Sequence, residues 1–321
     1  MEKTYNKGAY ATMITPYNND GSIDRGAVEA LTEWYWNMGC DGIFASCQSS
    51  EIWFLCEDER VLLARLVKDK ADALARTDKS RRPMTVVASG HVSDCLDDQV
   101  RELTRIAETN VDAVILITNR LDIPNTSDEN WISDCAKLID GLPTDTMLGL
   151  YECPAPYKRL LTPAMLNWAV STQRFRFIKD TCCDAQEIER RMQILGGTDL
   201  LLFNANAQTL LPSLQAGGAG YCGVMANFHP SLYAWLCDNW DKNPEAAQKI
   251  ADALSMLAFT ESLAYPYTAK YHQDALEGVS MSLIAKSRNS ADFKSYDRLC
   301  VEQMHRTAQL LMKTLGIQVR K

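Results

Sequence analysis

Apolar residues along this chain fall into short continuous runs that alternate with longer amphipathic segments. Runs of four to six mostly apolar residues between polar, Gly or Pro residues are typical of buried β-strands. The predicted strands are Ala9–Ile14, Gly42–Ala45, Met84–Ala88, Ala113–Thr118, Met147–Tyr151, Phe175–Lys179, Leu200–Asn204 and Tyr221–Met225. The pattern therefore predicts a protein with eight strands.

The segments between these runs carry apolar residues at helical spacing. The predicted helices are Gly26–Asn37, Glu57–Ala73, Leu96–Glu108, Glu129–Ile139, Pro163–Val170 and Ala185–Leu195. Several follow a residue whose side chain can cap a helix, namely Asp24, Asp94, Ser127, Thr162 and Asp184. Strands that alternate with helices favour a parallel sheet, and eight such units are enough to close an α/β (β/α)₈ TIM barrel.

The chain beyond this alternating pattern predicts helices alone. They cover Pro244–Ala264, Thr268–Ser287 and Ala291–Leu315. We therefore predict a barrel domain of residues 1–242 and a C-terminal three-helix extension of residues 243–321 that packs on the barrel.

A doubly wound open sheet is the rival architecture, because residues 218–223 match the pattern G-x-G-x-x-G. The dinucleotide-binding fingerprint needs a strand before this pattern and a helix at its end. Here Thr209–Ala216 has helical character, and Val224–Met225 continues a β-like run. We interpret the match as a coincidence.

Composition narrows the expected partners. The chain has 321 residues, of which 41 are acidic and 33 basic, and its net charge of -8 argues against nucleic acid binding. Residues 200–237 carry no charge, but residues such as Pro212 and Gly217 interrupt them, so no membrane span is expected. Eleven cysteines without a C-x-x-C motif, and a start without the apolar core of an export signal, favour reduced thiols in the cytoplasm.

Candidate chemistry lies at the ends of the predicted strands, where barrel enzymes carry their functional groups. Strand alternation places Phe175, Phe177 and Lys179 on one face. If that face points inward, the apolar mouth of the barrel favours the neutral amine that Schiff-base formation needs. Tyr151 ends the fifth run above Gly149, and a phenol there can relay a proton. A lysine that extends into solvent and a core tyrosine are the alternative interpretations.

Other polar residues follow the strands. The short polar side chains and backbone amides of Ser46–Glu51 suit an anion, although a plain serine-rich turn is the alternative. Four further candidates for lining a pocket are His91, Arg120, Trp53 and Asn206. The four histidines are scattered, and Glu302-x-x-His305 lacks the second copy that a di-metal carboxylate site needs, so no metal is expected.

Three segments carry motifs that are met together in one family. Tyr151–Pro154 has the sequence Y-E-C-P, where the family has Y-N-x-P. Phe177–Asp180 has the sequence F-I-K-D, where the family has G-I-K-E/D. Gly217–Asn227 matches the family pattern G-G-x-G-x-I-S-V-x-x-N in part. The opening residues 8–24 and residues 51–60 are also similar. The chain thus resembles the dihydrodipicolinate synthase and N-acetylneuraminate lyase family of class I aldolases.

This resemblance implies a (β/α)₈ barrel with a helical extension and no metal or organic cofactor. Lys179 is then the lysine that forms a Schiff base with a 2-oxo acid, usually pyruvate. Tyr151 is the proton donor and acceptor.

The resemblance also implies binding residues. The family's G-T-T-G-E falls on residues 47–51, so Ser49 replaces the threonine that holds the 2-oxo acid carboxylate, and Ser50 joins the same predicted set. Gln48 replaces the threonine that passes protons to the tyrosine, and an amide cannot relay protons as a hydroxyl does. Cys222 takes the position whose backbone lies beside pyruvate, and Asn206 is a predicted specificity residue.

Several positions depart from the family's pattern and argue against lysine biosynthesis. Leu121 stands where many members have a tyrosine that reaches a neighbouring subunit, and Pro156 stands where dihydrodipicolinate synthases have an arginine. Lys158 and Arg159 follow and are candidates to replace that arginine, although a solvated pair is the simpler interpretation. Asn204–Ala207 replaces the family's S-G-D-D.

We therefore predict an aldolase or lyase that joins or splits a 2-oxo acid and an aldehyde, with neither the aldehyde nor the direction specified. One alternative is a dehydratase of 2-oxo-3-deoxy sugar acids that uses the same Schiff base. A second is a non-catalytic barrel that senses an oxo acid, which Gln48, Leu121 and Pro156 keep open. The family implies a homodimer or homotetramer.

Overall fold

The computed structural model of this chain describes residues 5–317, and its eight parallel strands form a closed barrel in chain order. The strands are β1 Gly8–Thr12, β2 Gly42–Phe44, β3 Thr85–Ala88, β4 Ala113–Ile117, β5 Leu148–Tyr151, β6 Phe175–Asp180, β7 Leu201–Asn204 and β8 Gly220–Gly223. The predicted TIM barrel is confirmed. The expectation drawn from the start of the chain rests partly on residues 1–4, which lie outside the described residues.

Helices cover the outside of the barrel. They are α1 Arg25–Asn37, α2 Glu57–Thr77, α3 Leu96–Ala107, α4 Asp128–Asp140, α5 Pro163–Thr172, α6 Ala185–Leu195, α7 Leu210–Gln215 and α8 Pro230–Asn239. The side chains of four predicted caps accept backbone N–H groups, namely those of Asp24, Ser127, Thr162 and Asp184. The predicted cap Asp94 is wrong, because Cys95 precedes α3 and Asp94 instead pairs with Arg120 at 2.7 Å.

Aromatic side chains fill the interior of the barrel. The rings of Phe177 and Phe203 stack with their centroids 4.6 Å apart, and Tyr10 packs 4.5 Å from Phe203. Phe44 lies above them, 6.3 Å from Phe177. Because this core is packed with rings, the mouth of the barrel is where a ligand finds space.

The extension contains α9 Pro244–Leu257, α10 Tyr267–Tyr271 and α11 Ser295–Leu315. The predicted helix Thr268–Ser287 is confirmed only in its first part, because the helical structure ends at Leu276. After α10 the chain makes a single π-helical turn over His272–Leu276, and Gly278 then takes a left-handed conformation with φ of 73°. A left-handed glycine commonly ends a helix, because other residues adopt that conformation at a cost.

The residues after Gly278 cross the mouth of the barrel instead of forming a helix. The hydroxyl of Ser282 donates to the carbonyl of Tyr17, and the backbone N–H of Lys286 donates to Glu51 Oε1 at 2.7 Å. The extension therefore contributes to the functional end of the barrel. The division of the chain at residue 242 stays a prediction.

No helix within residues 5–317 is both long enough and apolar enough to cross a bilayer.

Candidate active site

Lys179 and Tyr151 are direct partners across the pairing of β5 with β6. The Lys179 Nζ lies 4.4 Å from the centroid of the Tyr151 ring and 5.6 Å from that of Phe44. Only 4% of Lys179 and 2% of Tyr151 are exposed. The amine therefore points into an aromatic mouth beside the phenol and not into bulk solvent.

Gly149 permits this close pairing. A Cβ at Gly149 would lie 2.9 Å from the carbonyl oxygen of Phe177 and 2.4 Å from the side chain of Ile115. A larger residue would push β5 away from β6 or displace the core below the phenol. The small residue that the alternation placed under Tyr151 thus has a steric reason in the structure.

A cavity of about 450 Å³ opens above Lys179 and Tyr151. Five predicted site residues line it, namely Lys179, Tyr151, Gln48, Ser49 and Asn206. Its other lining residues are Glu51, Trp53, Phe54, Pro154, Ala155, Lys158, Thr181, Cys183, Ala205, Gly223, Val224, Glu261, Tyr265, Pro266 and Ser287. Apolar walls with a few convergent polar groups are typical of small-molecule sites.

A short 3₁₀ turn over Gln48–Ser50 brings two predicted residues to the cavity. The Ser49 hydroxyl donates to Thr12 Oγ1 at 3.1 Å. The Gln48 Oε1 accepts a hydrogen bond from the Cys153 thiol at 3.3 Å. A hydroxyl and an amide therefore stand on the wall opposite β5 and β6.

Two other predicted binding residues, Ser50 and Cys222, are not among the residues that line the cavity. The Ser50 Oγ lies 2.7 Å from the carbonyl oxygen of Met13 and 2.8 Å from that of Ala45, so it joins loops behind the wall. The Cys222 thiol is fully buried, and burial raises its pKa to about 12. A motif match predicts where a residue lies along the chain, but it does not predict the direction in which the side chain points.

Asn206 reaches the cavity with its amide already engaged. Its Oδ1 accepts from the backbone N–H of Thr209 at 3.0 Å, and its Nδ2 donates to Gln208 Oε1 at 2.8 Å. These bonds shape the turn between β7 and α7.

Tyr151 keeps its proton at neutral pH. Burial raises the pKa of its phenol well above the ordinary value, and the neighbouring Cys153 thiol adds to that rise. Burial also raises the pKa of Cys153 to about 11. The phenol is thus a proton donor in the resting site, and a negative charge on it must be compensated by a cation formed nearby.

A buried ion network holds the loops beneath the site. The guanidinium of Arg191 lies 2.8 Å from Glu152 Oε1 and also bonds to the Asp180 carboxylate. Glu152 accepts the backbone N–H of Leu161 and of Thr181. Burial, together with the charge of Asp180, raises the pKa of Glu152 to about 7, against the opposing effect of Arg191. This network fixes the loops that follow β5 and β6.

The two candidates for replacing the missing arginine separate in the structure. Lys158 lines the cavity, and its Nζ donates to the carbonyl of Thr181 at 2.7 Å. Arg159 is 5% exposed and pairs with the buried carboxylate of Asp122 at 3.0 Å. Of the two, Lys158 therefore faces the cavity, whereas Arg159 pairs with a carboxylate within the loops.

The remaining candidates also differ in position. His91 is buried, accepts the backbone N–H of Ile117 and bonds to Gln99 at 2.9 Å, so it bridges strands within the wall. Trp53 lines the cavity. The Arg120 guanidinium lies over the Trp53 ring at 5.4 Å and orients it.

Sequence reasoning missed the residues that the extension contributes, which are Glu261, Tyr265, Pro266 and Ser287. Desolvation raises the pKa of Glu261, and the charge of Lys179 partly offsets the rise. The N–H of Ser287 donates to Glu51 Oε1 at 2.6 Å. None of the quoted family motifs covers this part of the chain, so no signal in them pointed to it.

Comparison with known proteins gives a match along most of the chain. The family model described as the Dihydrodipicolinate synthetase family matches residues 6–277. The 4-hydroxy-tetrahydrodipicolinate synthase of Shewanella denitrificans is 25% identical over 233 residues, which cover 72% of this chain and 74% of that protein.

Solved structures share the fold at lower identity. The wild-type sialic acid aldolase of Ruminococcus gnavus has a TM-score of 0.83 and 17% identity, with 97% of this chain and 99% of that chain covered. YagE, a prophage protein of E. coli K12 solved in complex with pyruvate, has a TM-score of 0.79 and 20% identity, with 95% and 98% covered. At this identity the likeness supports the barrel and its helical extension.

Proposed function

The chain belongs to the Dihydrodipicolinate synthetase family and is an enzyme of the class I aldolase type, and we propose that it forms a Schiff base between Lys179 and a 2-oxo acid. Pyruvate is the expected oxo acid, and an aldehyde is the second substrate. The observation that carries this proposal is the sheltered Lys179 amine, 4.4 Å from the Tyr151 ring at the base of a cavity.

The proposed reaction starts at the C2 carbonyl of the oxo acid. The Lys179 amine attacks this carbon, and loss of hydroxide gives an iminium that withdraws electrons from C3. The hydroxide takes a proton from C3 and leaves as water, which gives an enamine whose C3 attacks the aldehyde carbon. Tyr151 protonates the new alkoxide, and its phenolate regains a proton from the water that hydrolyses the product iminium. Water then hydrolyses the product iminium and frees the amine, and cleavage follows the same steps in reverse.

The wall opposite Lys179 suits the carboxylate of the oxo acid. Ser49 offers a hydroxyl there, held by its bond to Thr12. Gln48 replaces the usual relay hydroxyl, so we assign proton transfer to Tyr151 without a partner at position 48. Pyruvate is small enough to leave most of a cavity of about 450 Å³ for the second substrate. The pyruvate complex of YagE, which has the same fold, also favours this oxo acid.

The outer cavity favours a polar aldehyde. Lys158 brings an amine and Glu261 a carboxyl group to it, and Trp53 adds an apolar surface. Hydroxyl groups can bond to both of these polar side chains, whereas a dianionic partner would face the oxygens of the Glu261 carboxyl group. We propose an aldehyde that carries hydroxyl groups, with Lys158 available for one acidic group. We also propose a homodimer or homotetramer, as the family resemblance implies, because most soluble oligomers consist of identical chains.

One observation favours a second candidate function. Glu261 places a carboxyl group with a raised pKa in the cavity, and a neutral carboxyl group can protonate a leaving hydroxyl. A 2-oxo-3-deoxy sugar acid bound as the same iminium would then lose water instead of an aldehyde. The two reactions separate by product, because an aldolase releases pyruvate and a dehydratase keeps every carbon in one molecule.

Borohydride reduction in the presence of pyruvate tests the Schiff base. The expected result is a stable mass increase of one reduced pyruvyl group on Lys179, located by peptide mass spectrometry. Lys179→Ala should lose this increase, whereas Lys158→Ala, which removes another lysine of the same cavity, should keep it. An unmodified wild-type protein that still binds pyruvate would favour the oxo-acid sensor. Labelling that persists in Lys179→Ala would contradict the assignment.

A further inference from the structure

Three side chains of the extension direct metal-binding atoms at one another outside the catalytic cavity. His272 Nε2 lies 3.1 Å from His305 Nδ1. Glu277 Oε1 lies 3.8 Å from the first nitrogen and 3.4 Å from the second. The four histidines are scattered along the sequence, but the fold brings His272 and His305, which are 33 positions apart, into contact.

The local fold explains how the cluster forms. The π-helical turn His272–Leu276 is closed by the backbone N–H of Glu277, which donates to the carbonyl of His272 at 3.1 Å. This five-residue spacing returns Glu277 to the side of His272. Helix α11 packs against the turn and supplies His305. Single π turns inside helices are costly and are frequently found at functional sites.

The spacing of the three atoms suits one shared ion. Nitrogen and oxygen ligands at about 2.0–2.1 Å from a tetrahedral ion lie about 3.3 Å from each other. The observed separations of 3.1, 3.4 and 3.8 Å bracket that value. A hydrogen bond between the two imidazoles explains why His272 Nε2 and His305 Nδ1 lie close together. The hydrogen shared by these two nitrogens is used in that bond, so neither nitrogen donates one to the Glu277 carboxylate.

The charge state of the cluster also suits a cation. Within residues 5–317, no lysine or arginine nitrogen lies within 4.0 Å of the Glu277 carboxylate. Its other oxygen accepts the indole N–H of Trp34 at 3.0 Å, which fixes its orientation. A divalent ion would neutralise this partly buried carboxylate.

His229 supplies an independent observation at the same place. It is 1% exposed, and neither of its ring nitrogens has a hydrogen-bond partner within the described part of the chain. Its ring stacks on Tyr233 with the centroids 5.5 Å apart, and the ring of the preceding residue, Phe228, packs 5.3 Å from that of His272. A buried polar group without a partner destabilises the fold, so a nearby ligand or water that bonded to it would stabilise the protein.

We propose that His272, Glu277 and His305 form a binding site for one divalent transition-metal ion, with Zn²⁺ as the expected ion and water completing its coordination. Two imidazoles and one carboxylate are a common set of ligands for such ions. None of the three residues lines the catalytic cavity. The ion is therefore structural, and it ties the π turn to α11.

Binding requires a balanced rearrangement of hydrogens. In the metal-free cluster, the short contact between His272 Nε2 and His305 Nδ1 holds one hydrogen on one of these two nitrogens. Both nitrogens must offer lone pairs to the ion, so that hydrogen moves to the other nitrogen of the same ring. One histidine thus changes tautomer, which ¹⁵N NMR of the imidazoles detects directly.

The test uses full-length protein without a histidine tag, after treatment with a chelator. Co²⁺ titration followed by visible absorption, and Zn²⁺ titration by calorimetry, should show one ion per chain. His305→Ala should weaken binding by more than about 100-fold, because the loss of partners outside the ligand shell alone costs 10–100-fold. Glu277→Gln should do the same while keeping an oxygen for Trp34. Zn²⁺ should raise the Tm of the wild type and leave that of both variants unchanged.

Glu302→Gln is the matched control. Glu302 lies on the same helix as His305 and bonds to Tyr271 at 2.8 Å, outside the cluster, so its variant should bind the ion as the wild type does. Borohydride trapping with pyruvate shows that each variant is folded. The proposal is overturned if the wild type binds no ion, if His305→Ala binds it equally well, or if the Co²⁺ spectrum shows thiolate ligation from surface cysteines.

Discussion

The thiol of Cys153 donates a hydrogen bond to the amide oxygen of Gln48, with 3.3 Å between Sγ and Oε1. This bond crosses the mouth of the barrel, from the loop after β5 to the turn after β2. It orients the amide that stands where related enzymes have a hydroxyl. Cys153, the residue that follows the Tyr151–Glu152 pair, therefore holds the Gln48 amide in place at the cavity wall.

A double-mutant cycle measures this coupling. Cys153→Ala and Gln48→Ala should each lower kcat/KM for the aldol reaction by about two- to tenfold, as expected for one modest hydrogen bond. The double variant should lose less than the product of the two, because both changes remove the same bond. Steady-state kinetics with pyruvate gives all four values. Strictly multiplicative losses would show that the two side chains act separately.

Tyr151→Phe should separate proton transfer from Schiff-base formation. We expect kcat to fall by about 10²–10⁴-fold, the usual contribution of a general acid or base, because phenylalanine keeps the ring and loses the proton. Borohydride trapping of pyruvate on Lys179 should persist. Tyr157→Phe is the control, since that hydroxyl donates to the carbonyl of Ile123 in the neighbouring loop. Equal losses in the two variants would argue against the role of Tyr151.

Lys158→Ala should affect the second substrate selectively. If its ammonium binds an acidic group of the aldehyde, KM for that aldehyde should rise about tenfold or more, the value of one charged hydrogen bond. The rate of pyruvate trapping should stay unchanged, because Lys158 lies on the outer wall. Lys249→Ala on the exposed face of α9 provides the control. A change in pyruvate trapping without a change in KM for the aldehyde would place Lys158 at the oxo acid instead.

Arg159→Ala should destabilise the fold. Its guanidinium contacts Asp122 Oδ2 at 3.0 Å, and both side chains are about 5% exposed. Removing one partner leaves a buried charge without compensation, which costs about 3–5 kcal/mol. Urea denaturation measures the free energy of unfolding. Lys137→Ala, which breaks an exposed pair with Asp134, should change it by less than about 0.5 kcal/mol.

Because His91 is buried, we expect the protein to lose stability in acid. Burial lowers its pKa from 6.5 to about 4, so the unfolded chain binds its proton more readily than the folded chain does. Its contribution to the free energy of unfolding is full above pH 6.5 and is lost as the pH falls towards 4. Between pH 7 and pH 5, the contribution of His91 to the free energy of unfolding should fall by about 2 kcal/mol.

His91→Gln should reduce that dependence on pH, because glutamine does not titrate in this range. Chemical denaturation at pH 7 and 5 gives the two values for each protein. The other buried histidines keep their own contributions in both proteins, so the comparison isolates position 91. An identical pH dependence in the variant would show that His91 does not contribute.

The sequence predicted the barrel and its two central residues for simple geometric reasons. Alternation along a strand is strict, so Lys179 and Tyr151 had to point to the same side once their strands paired. Parallel strands then bring their carboxyl ends to one edge. Short-range caps such as Asp184 followed from local chemistry.

The remaining features depend on contacts between distant residues. Glu51 binds the backbone N–H of Lys286, 235 positions away, and no local pattern predicts such a contact. The chain around Gly278 has helical propensity on both sides, but tertiary contacts make it leave the helix. The turn of Ser50 away from the cavity likewise depends on the carbonyl groups of Met13 and Ala45. Periodic patterns in the sequence therefore predict helices and strands better than they predict the course of the loops that connect them.

Glu51 binds the backbone N–H groups of Lys286 and Ser287, in the segment that crosses the barrel mouth. The cavity is therefore formed by two separate parts of the chain, the barrel and the C-terminal extension. The strands carry Lys179 and Tyr151, while Glu261, Tyr265 and Ser287 of the extension line the cavity above them. With this arrangement, substitutions in the C-terminal extension can change the selectivity for substrates while Lys179 and Tyr151 stay unchanged. Grafting the tail of one relative onto the barrel of another is a rational route to new carbon–carbon bond formation.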